Sequence, residues 1–259
     1  MMTTMRRRSK VRGLAAWLGL TPDAVELGDN VVVISPHLDD AVFSLGAAVA
    51  RAARRGARVR ILTVLAGDPR SQLAAGPWDF ETGFRTAGEA ARARREEDRR
   101  ACALLGAVPL WLPHEDHQYE RRVEDAVVRA QVVAAVGDAT VLLPGFPLAH
   151  QDHAWLARLL DGAFERERVG YYVEQPYAVW APDEPFDAVL TTGPRCWLRA
   201  SADVRSRLRK LRACRAYGSQ LAHLGEGTLL AICRREVLFG GELVAWARDA
   251  MSVERKPYD

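Results

Sequence analysis

Two stretches of the sequence carry side chains that could bind a metal ion or move a proton. In "VVVISPHLDDAVFSLG" an apolar run ends, and His37, Asp39 and Asp40 follow within four residues. Adjacent carboxylates repel each other, and each needs water or a cationic partner. In "GFPLAHQDH", His150 and His153 stand three residues apart, so a helix that begins there would place them on one face.

Together the two stretches offer four nitrogen and oxygen ligands, of which three would suffice to hold a metal ion: His37, Asp40, His150 and His153. Zinc suits imidazole and carboxylate ligands, and a catalytic zinc site keeps one position open for water. Such a water can lose a proton near neutral pH, and a carboxylate that is not a ligand is then well placed as the general base. One aspartate would bind the cation, whose charge offsets the repulsion, and its neighbour would take the proton.

Each of these residues also has a simpler interpretation. Asp39 or Asp40 could be an ordinary helix N-cap, and His150 or His153 could be a surface residue. An anion bound at the helix N-terminus is another alternative, but two aspartates would repel a phosphate and the sequence has no glycine-rich loop there. The presence of two such motifs at the ends of two strands favours the functional interpretation.

The elements that must position these residues alternate along the chain. We predict strands at residues 31–34, 59–65, 109–112, 140–143, 169–173 and 188–191, and helices at residues 40–54, 89–105, 123–136, 153–164, 204–217 and 242–250. This alternation predicts a three-layer α/β/α sandwich with a Rossmann-like, mostly parallel sheet. Ligands of such sheets lie beyond the carboxyl ends of the strands, where both stretches fall.

A long polar segment at residues 67–86 follows the second predicted strand and carries Trp78, Phe80 and Phe84. Structureless loops of this length are usually functional or mobile. The three aromatic side chains could form a lid that stacks on a sugar, and core packing is at least as good an explanation for each of them.

Composition limits the other classes of protein. The 259 residues are 49% hydrophobic, enough for one sizeable core, and we predict a single domain over residues 1–259 with residues 1–28 as an N-terminal extension. A net charge of +3 is too small to indicate nucleic-acid binding. Since no apolar run approaches the ~20 residues of a membrane span and no clean signal-peptide cleavage site is present, we predict a cytoplasmic protein. The four cysteines lack paired spacing and are interpreted as small buried side chains.

At these motifs the sequence resembles the LmbE-like, or PIG-L, family of zinc-dependent N-deacetylases. The family's His-Pro-Asp-Asp-Glu motif appears here as "HLDDA", and its His-x-Asp-His motif appears as "HQDH". Two further motifs of the family match a helix and a late segment: Arg94, Glu97, Leu105, Gly106, Tyr217, Ser219 and Gln220. The resemblance spans roughly residues 31–239. Leu38 replaces the usual proline and Ala41 the usual glutamate, which weakens assignment to the best-known members.

The resemblance implies roles for individual residues. It makes His37, Asp40 and His153 the ligands of a Zn²⁺ ion. It makes Asp39 the base that activates the water at the metal, and His150 a hydrogen-bond donor to the oxyanion of the reaction.

Further residues would support this site. Asp152 would orient a neighbouring imidazole, while Arg94 and Asp116 would contact the substrate. Arg94 could equally be one charge on a solvated helix face. His114 and His117, in "PHEDHQY", could form a second metal site, but a polar loop that faces the substrate is favoured.

The sequence therefore predicts a zinc-dependent hydrolase that removes an acetyl group from an N-acetylated amino sugar or a sugar-containing small molecule, such as a natural-product or thiol intermediate. One alternative is an amidase that cleaves a larger N-acyl or thiol-conjugate amide. Another is a decayed sugar-binding module, against which the complete set of histidines and aspartates argues. The expected partner is a small N-acetylated sugar or glycoconjugate, and the sequence leaves a homo-oligomer open.

Overall fold

The fold is known here from a computed structural model, which describes residues 24–120, 123–180, 197–225, 227–238 and 241–247. In chain order its strands are β1 (Ala24–Val25), β2 (Asn30–Ser35), β3 (Arg58–Thr63), β4 (Val108–Trp111), β5 (Thr140–Phe146), β6 (Val169–Val173), β7 (Leu198–Ala200) and β8 (Leu243–Trp246). Its helices are α1 (Asp40–Arg54), α2 (Pro77–Glu81), α3 (Ala87–Leu105), α4 (Asp125–Val136), α5 (Gln151–Leu160), α6 (Tyr177–Trp180), α7 (Val204–Cys214), α8 (Gly218–Leu224) and α9 (Gly227–Leu238), with a 3₁₀ turn at Arg166–Arg168.

The described strands form one mixed sheet in the order β1-β7-β8-β6-β5-β2-β3-β4. β2, β3, β4, β5 and β6 pair in parallel, and β1 pairs in parallel with β7. β8 is antiparallel to both of its neighbours, β6 and β7. The predicted α/β fold with a mostly parallel sheet is therefore confirmed.

Strand β2 shows why the molecule has three layers. Val31 and Val33 pack into a core cluster shared with α1, α3 and α7, whereas Val32 and Ile34 pack into a second cluster shared with α4 and α5. Successive side chains of a strand point to opposite faces, so an unbroken β-branched run can be buried only where helices cover both faces.

The unit that positions the first motif is the β2-α1-β3 crossover. Helix α1 covers Asp40–Arg54, the range that the sequence predicts, and Gly56 follows it with a φ of +93°, a backbone conformation that favours glycine. Because β2 and β3 are parallel neighbours, the chain must cross from one end of the sheet to the other, and the loop before α1 lies at the carboxyl edge.

The last predicted helix is wrong. Residues 242–250 were expected to be helical, but Leu243–Trp246 is strand β8, and residues 248–250 lie outside the described part of the chain. A run of four apolar residues that is buried on both faces of a sheet has no alternation to distinguish it from a buried helix.

The structure adds detail to two further predictions, and some predictions concern residues that it does not describe. The segment 67–86 contains the short helix α2, and the predicted N-terminal extension contains β1, which joins the sheet. The division into domains stays a prediction. The strand predicted at residues 188–191 and Cys196 lie outside the described residues. Cys102 and Cys214 are buried free thiols, as expected, and Cys233 is half-buried.

None of the described helices combines the length and the apolar character needed to cross a membrane. The cytoplasmic location stays a prediction.

Candidate metal centre and its cavity

The turn between β2 and α1 fixes the first group of polar side chains. The Ser35 hydroxyl accepts a hydrogen bond from the Ala41 amide at 3.0 Å and donates one to the His37 carbonyl at 2.5 Å. The His37 amide donates to Asp40 Oδ2 at 2.9 Å. Asp39 stands at the N-cap position of α1, but its carboxylate makes no capping hydrogen bond. The N-cap interpretation therefore does not account for this carboxylate.

The second group is fixed where β5 leads into α5. His150 is the N-cap of α5, and its Nδ1 accepts a hydrogen bond from the Asp152 amide at 3.2 Å. A ring that accepts at Nδ1 carries its proton on Nε2 when it is neutral. His153 lies in the first turn and is fully buried, so both histidines have defined positions and neither is an ordinary surface residue.

The two groups meet in a triangle of possible ligand atoms. His37 Nδ1 lies 3.1 Å from His153 Nε2 and 3.3 Å from Asp40 Oδ2, and His153 Nε2 lies 3.1 Å from the same oxygen. Metal–nitrogen and metal–oxygen bonds of about 2.0–2.1 Å in a tetrahedral zinc site separate the ligand atoms by about 3.3 Å. The three side chains thus fit a zinc ion in spacing and in chemistry. His150 also brings a ring nitrogen within 4.8 Å of those of His37 and His153.

Two buried carboxylates orient these imidazoles from behind. Asp152 Oδ2 lies 3.1 Å from His37 Nε2, so the neighbouring imidazole that it contacts is that of His37. Glu174 Oε1 lies 2.5 Å from His153 Nδ1, and Glu174 Oε2 accepts a hydrogen bond from the Leu148 amide at 2.8 Å. Carboxylates in this position fix the ring and the tautomer of a ligating histidine.

Glu174 was missed by the sequence analysis, although a signal was present. It directly follows the buried strand β6, at the same edge of the sheet as Asp39 and Asp40. A charged residue immediately after a buried strand is the pattern that singled out the first motif, and the same pattern could have singled out "VEQPY".

The electrostatics of the triangle favour positive charge. Burial opposes the charged form of His37, but hydrogen bonds to Asp152 and Asp40 outweigh it and raise the pKa of His37 to about 9. Burial also opposes charge on His153, yet Asp40 and Glu174 hold its pKa well above the ordinary value. The pKa of Asp40 is correspondingly low, because the attraction of His153 and His37 outweighs the effect of burial. The site therefore holds protons or a metal ion between its carboxylates.

The pKa values of Asp39 and His150 shift in the opposite direction, so that each favours the neutral form of its side chain. Burial, followed by repulsion from Asp40, raises the pKa of the Asp39 carboxyl to about 7, in the range expected of a general base. Burial and the charges on His37 and His153 lower the pKa of His150 to about 4, so its ring is neutral at pH 7. A neutral ring with its proton on Nε2 is a hydrogen-bond donor without a charge.

A cavity of about 750 Å³ opens onto these residues. Its lining combines the polar cluster with aromatic and aliphatic side chains from four helices: Phe43, Trp78, Tyr177, Trp180 and Leu224. Of the aromatic residues in the segment 67–86, Trp78 lines the cavity. Its ring lies against that of His223 at an angle of 55°, with a distance of 3.7 Å between the ring centroids. Phe80 is instead 71% exposed.

Both residues expected to contact a substrate line this cavity, and both also have partners in the protein. Arg94 pairs with the buried Asp79 at 2.5 Å, which anchors α2 to α3, so it is not a charge on a solvated helix face. The carboxylate of Asp116 accepts hydrogen bonds from the amide and the side chain of Gln118, each at 2.9 Å.

The two histidines of "PHEDHQY" separate in the structure. His114 points its Nε2 at Gln131 Oε1 at 2.7 Å. His117 lines the cavity, and its Nδ1 lies 3.0 Å from Asp152 Oδ2. The two do not form one site together.

The fold and this cluster define an α/β protein with a candidate metal centre at the carboxyl edge of its sheet. Residues 32–164, just over half of the chain, match the PIG-L family, described as GlcNAc-PI de-N-acetylase. The chain therefore belongs to the PIG-L family, as the sequence motifs predict. No curated protein sequence matches the chain.

Solved structures agree with this assignment. The A40926 pseudoaglycone deacetylase Dbv21 is 28% identical with a TM-score of 0.69, and the match covers 84% of this chain and 96% of that one. A deacetylase of the teicoplanin biosynthesis pathway is 25% identical with a TM-score of 0.70, again over 84% and 96% of the two chains. The N,N′-diacetylchitobiose deacetylase of Pyrococcus horikoshii, at 17% identity and a TM-score of 0.56 over 85% of each chain, shows the same fold.

Proposed function

We propose that this protein is a zinc-dependent hydrolase that removes an acetyl group from an N-acetylated amino sugar carried on a small glycoconjugate. The observation that carries the proposal is the triangle of His37, Asp40 and His153, beside which Asp39 has a carboxylate that neither caps the helix nor belongs to the triangle. Membership of a family described as de-N-acetylases supports this reaction. The 28%-identical deacetylase, which acts on a pseudoaglycone, supports a glycoconjugate as the substrate class.

His37, Asp40 and His153 would hold the zinc ion. When bound there, Zn²⁺ acts as a Lewis acid that polarises the acyl carbonyl and lowers the pKa of an attacking water. Glu174 and Asp152 hold the two imidazoles in the orientation that points one ring nitrogen of each into the triangle.

Asp39 and His150 would carry the proton transfers and the charge of the reaction. Asp39 takes a proton from the attacking water and delivers it to the leaving nitrogen, so that an amine and a carboxylic acid are released. His150 donates a hydrogen bond from Nε2–H to the oxygen on which negative charge develops. Because the pKa of His150 is lowered to about 4, its ring is neutral at pH 7 and acts as a hydrogen-bond donor, not as a general acid.

The test of this mechanism is the substitution Asp39→Asn. We expect zinc content near that of the parent protein, measured by elemental analysis, and turnover lower by about 10²–10⁴-fold. Turnover is measured as amine release from a panel of N-acetylated amino sugars and their glycosides. Asp29→Asn, at an exposed position in the loop before β2, is the matched control and should change neither quantity. Normal turnover in Asp39→Asn would refute the assignment of the base.

A second candidate is an amidase that removes a larger acyl group by the same chemistry. The cavity has a volume of about 750 Å³, and its walls include Trp78, Trp180 and Leu224. It can therefore hold an apolar group larger than acetyl. That space could receive either a longer acyl chain or the non-sugar part of a glycoconjugate. Mass analysis of the released acid separates the two: acetate supports the deacetylase, and a longer acid supports the amidase.

A further inference from the structure

A second group of possible ligand atoms adjoins the triangle. His117, His150 and Asp152 each place one such atom within 4.8 Å of those of the other two. His117 Nδ1 lies 3.0 Å from Asp152 Oδ2, and His150 Nδ1 lies 3.9 Å from the same oxygen. The His117 and His150 rings are edge-to-face with centroids 4.8 Å apart. Two imidazoles and one carboxylate are a ligand set that zinc and related ions favour.

The loop that carries His117 is held in place by several hydrogen bonds. The His117 amide also donates to Asp152 Oδ2, at 3.1 Å, so backbone and side chain approach the same carboxylate. On either side, the Gln118 amide donates to the Asp116 side chain at 2.9 Å and the Tyr119 amide to the Asp116 carbonyl at 3.1 Å. This turn keeps the imidazole at the cavity wall, where 39% of the His117 side chain is exposed to solvent.

We propose that His117, His150 and Asp152 form a second site for a divalent transition-metal ion, next to the site formed by His37, Asp40 and His153. The second site binds more weakly for three reasons. Its histidines are partly exposed, the 3.9 Å separation must shorten for coordination, and a cation in the first site repels another one. Asp152 also keeps its contact with His37 Nε2, so the two sites share a carboxylate.

Occupancy of the second site has a consequence for the reaction, which rests on the proposed function. The nitrogen of His150 nearest Asp152 is Nδ1, which accepts the hydrogen bond of the Asp152 amide. A metal ion at this nitrogen displaces that hydrogen bond and draws the ring toward the Asp152 carboxylate, so the Nε2 proton moves away from the position in which it would donate to the oxyanion. Turnover is therefore highest with one equivalent of metal and falls as a second equivalent binds.

The experiment starts from protein that holds one equivalent of Zn²⁺ and adds further Zn²⁺ in a calorimeter. We expect the parent protein to bind about one more equivalent, and His117→Ala to bind that equivalent at least about tenfold more weakly. His114→Ala is the matched control, since His114 belongs to neither group of ligands, and it should keep the second event. Repeating the titration with Co²⁺ gives a visible absorption spectrum that changes at the second equivalent in the parent but not in His117→Ala.

The expected kinetic signature is a fall in turnover with excess Zn²⁺ in the parent that is absent from His117→Ala, each compared with its own maximum. No binding of further Zn²⁺ to the one-equivalent parent, or binding of an additional equivalent that His117→Ala leaves unchanged, would overturn the inference. Either result leaves the first equivalent bound, and so leaves the proposed function standing. Failure of the parent to retain the first equivalent would refute the proposed function instead.

Discussion

Two regions of this protein bury clusters of charge, and they differ in the kind of cation that balances them. Beside helix α1, Lys210 is fully buried, and its Nζ lies 2.6 Å from Glu236 Oε1 and 2.7 Å from Glu242 Oε1. Arg207 also pairs with Glu236. At the carboxyl edge of the sheet, the partners of Asp40 and Glu174 in ion pairs between described residues are histidines, and Asp152 also pairs with histidines.

The difference separates a structural cluster from a candidate functional one. The cationic side chain of a lysine or an arginine occupies the space between the carboxylates and keeps its positive charge. Such a cluster therefore offers no proton that a metal ion could replace. An imidazole holds its positive charge only as a proton, and that proton can be exchanged for a metal ion. Buried charge alone therefore does not identify a site, whereas buried carboxylates whose described ion pairs are with histidines indicate one here.

The largest effect on stability should come from removing a permanent cation. In Lys210→Met, Glu236 and Glu242 lose their shared partner inside the protein, and we expect the free energy of unfolding to fall by about 3–5 kcal/mol. Urea denaturation measures this change. Arg99→Met, on an exposed helix position, serves as the control and should cause little change. A small effect of Lys210→Met would mean that the two clusters do not differ in the way described.

Asp98 tests a buried carboxylate whose hydrogen-bond partners among the described residues include no lysine, arginine or histidine. It accepts hydrogen bonds from Tyr217 at 2.6 Å and Trp111 at 2.7 Å, and burial raises its pKa from 3.8 to about 6. The folded state thus holds a proton that the unfolded state has lost between these two pH values. The stability that Asp98 contributes is fully present below pH 3.8 and is lost as the pH rises through 6.

We therefore expect the difference in unfolding free energy between the parent and Asp98→Asn to decrease from pH 4 to pH 6, by at most about 3 kcal/mol. Urea denaturation of both proteins at several pH values gives this difference, in which the shared contributions of other groups cancel. A difference that stays constant over this range would show that Asp98 does not titrate as described.

The smallest effect concerns the orientation of His153 by Glu174. Glu174→Gln keeps a hydrogen-bonding side chain of the same size but removes the negative charge beside the imidazole. We expect zinc affinity to fall by about 10–100-fold, measured by competition with a chelator. Glu165→Gln, at a side chain that is 79% exposed, should leave the affinity unchanged. Unchanged affinity in Glu174→Gln would mean that the carboxylate acts only in packing.

The sequence predicts those parts of the fold in which the local residue pattern favours the same structure as the tertiary contacts do. The strand before His37, helix α1 and the strand after it were predictable because a β-branched run, an amphipathic helix and a terminal glycine each point to one structure. Strand β8 was not predictable, since its four apolar residues fit a helix or a strand and only its neighbours β6 and β7 decide.

The same division holds for the candidate site. The motifs named six residues that the structure brings to one edge of the sheet: His37, Asp39, Asp40, His150, Asp152 and His153. The sequence could not show that Arg94 forms an ion pair with Asp79, or that His117 rather than His114 contacts Asp152. Both contacts depend on how segments that are separate in the sequence pack together. The roles assigned to these residues stay predictions until the substitutions are measured.

The position of β8 also constrains the order in which the chain can fold during synthesis. β8 is translated after β6 and β7 but lies between them, and Glu242, directly before it, completes the ion cluster around Lys210. Until this segment has emerged from the ribosome, β6 has an unpaired edge. The pair of β7 and β1 then has no strand that connects it to the rest of the sheet. The nascent protein must therefore keep an open sheet edge protected until nearly all of the described chain has emerged.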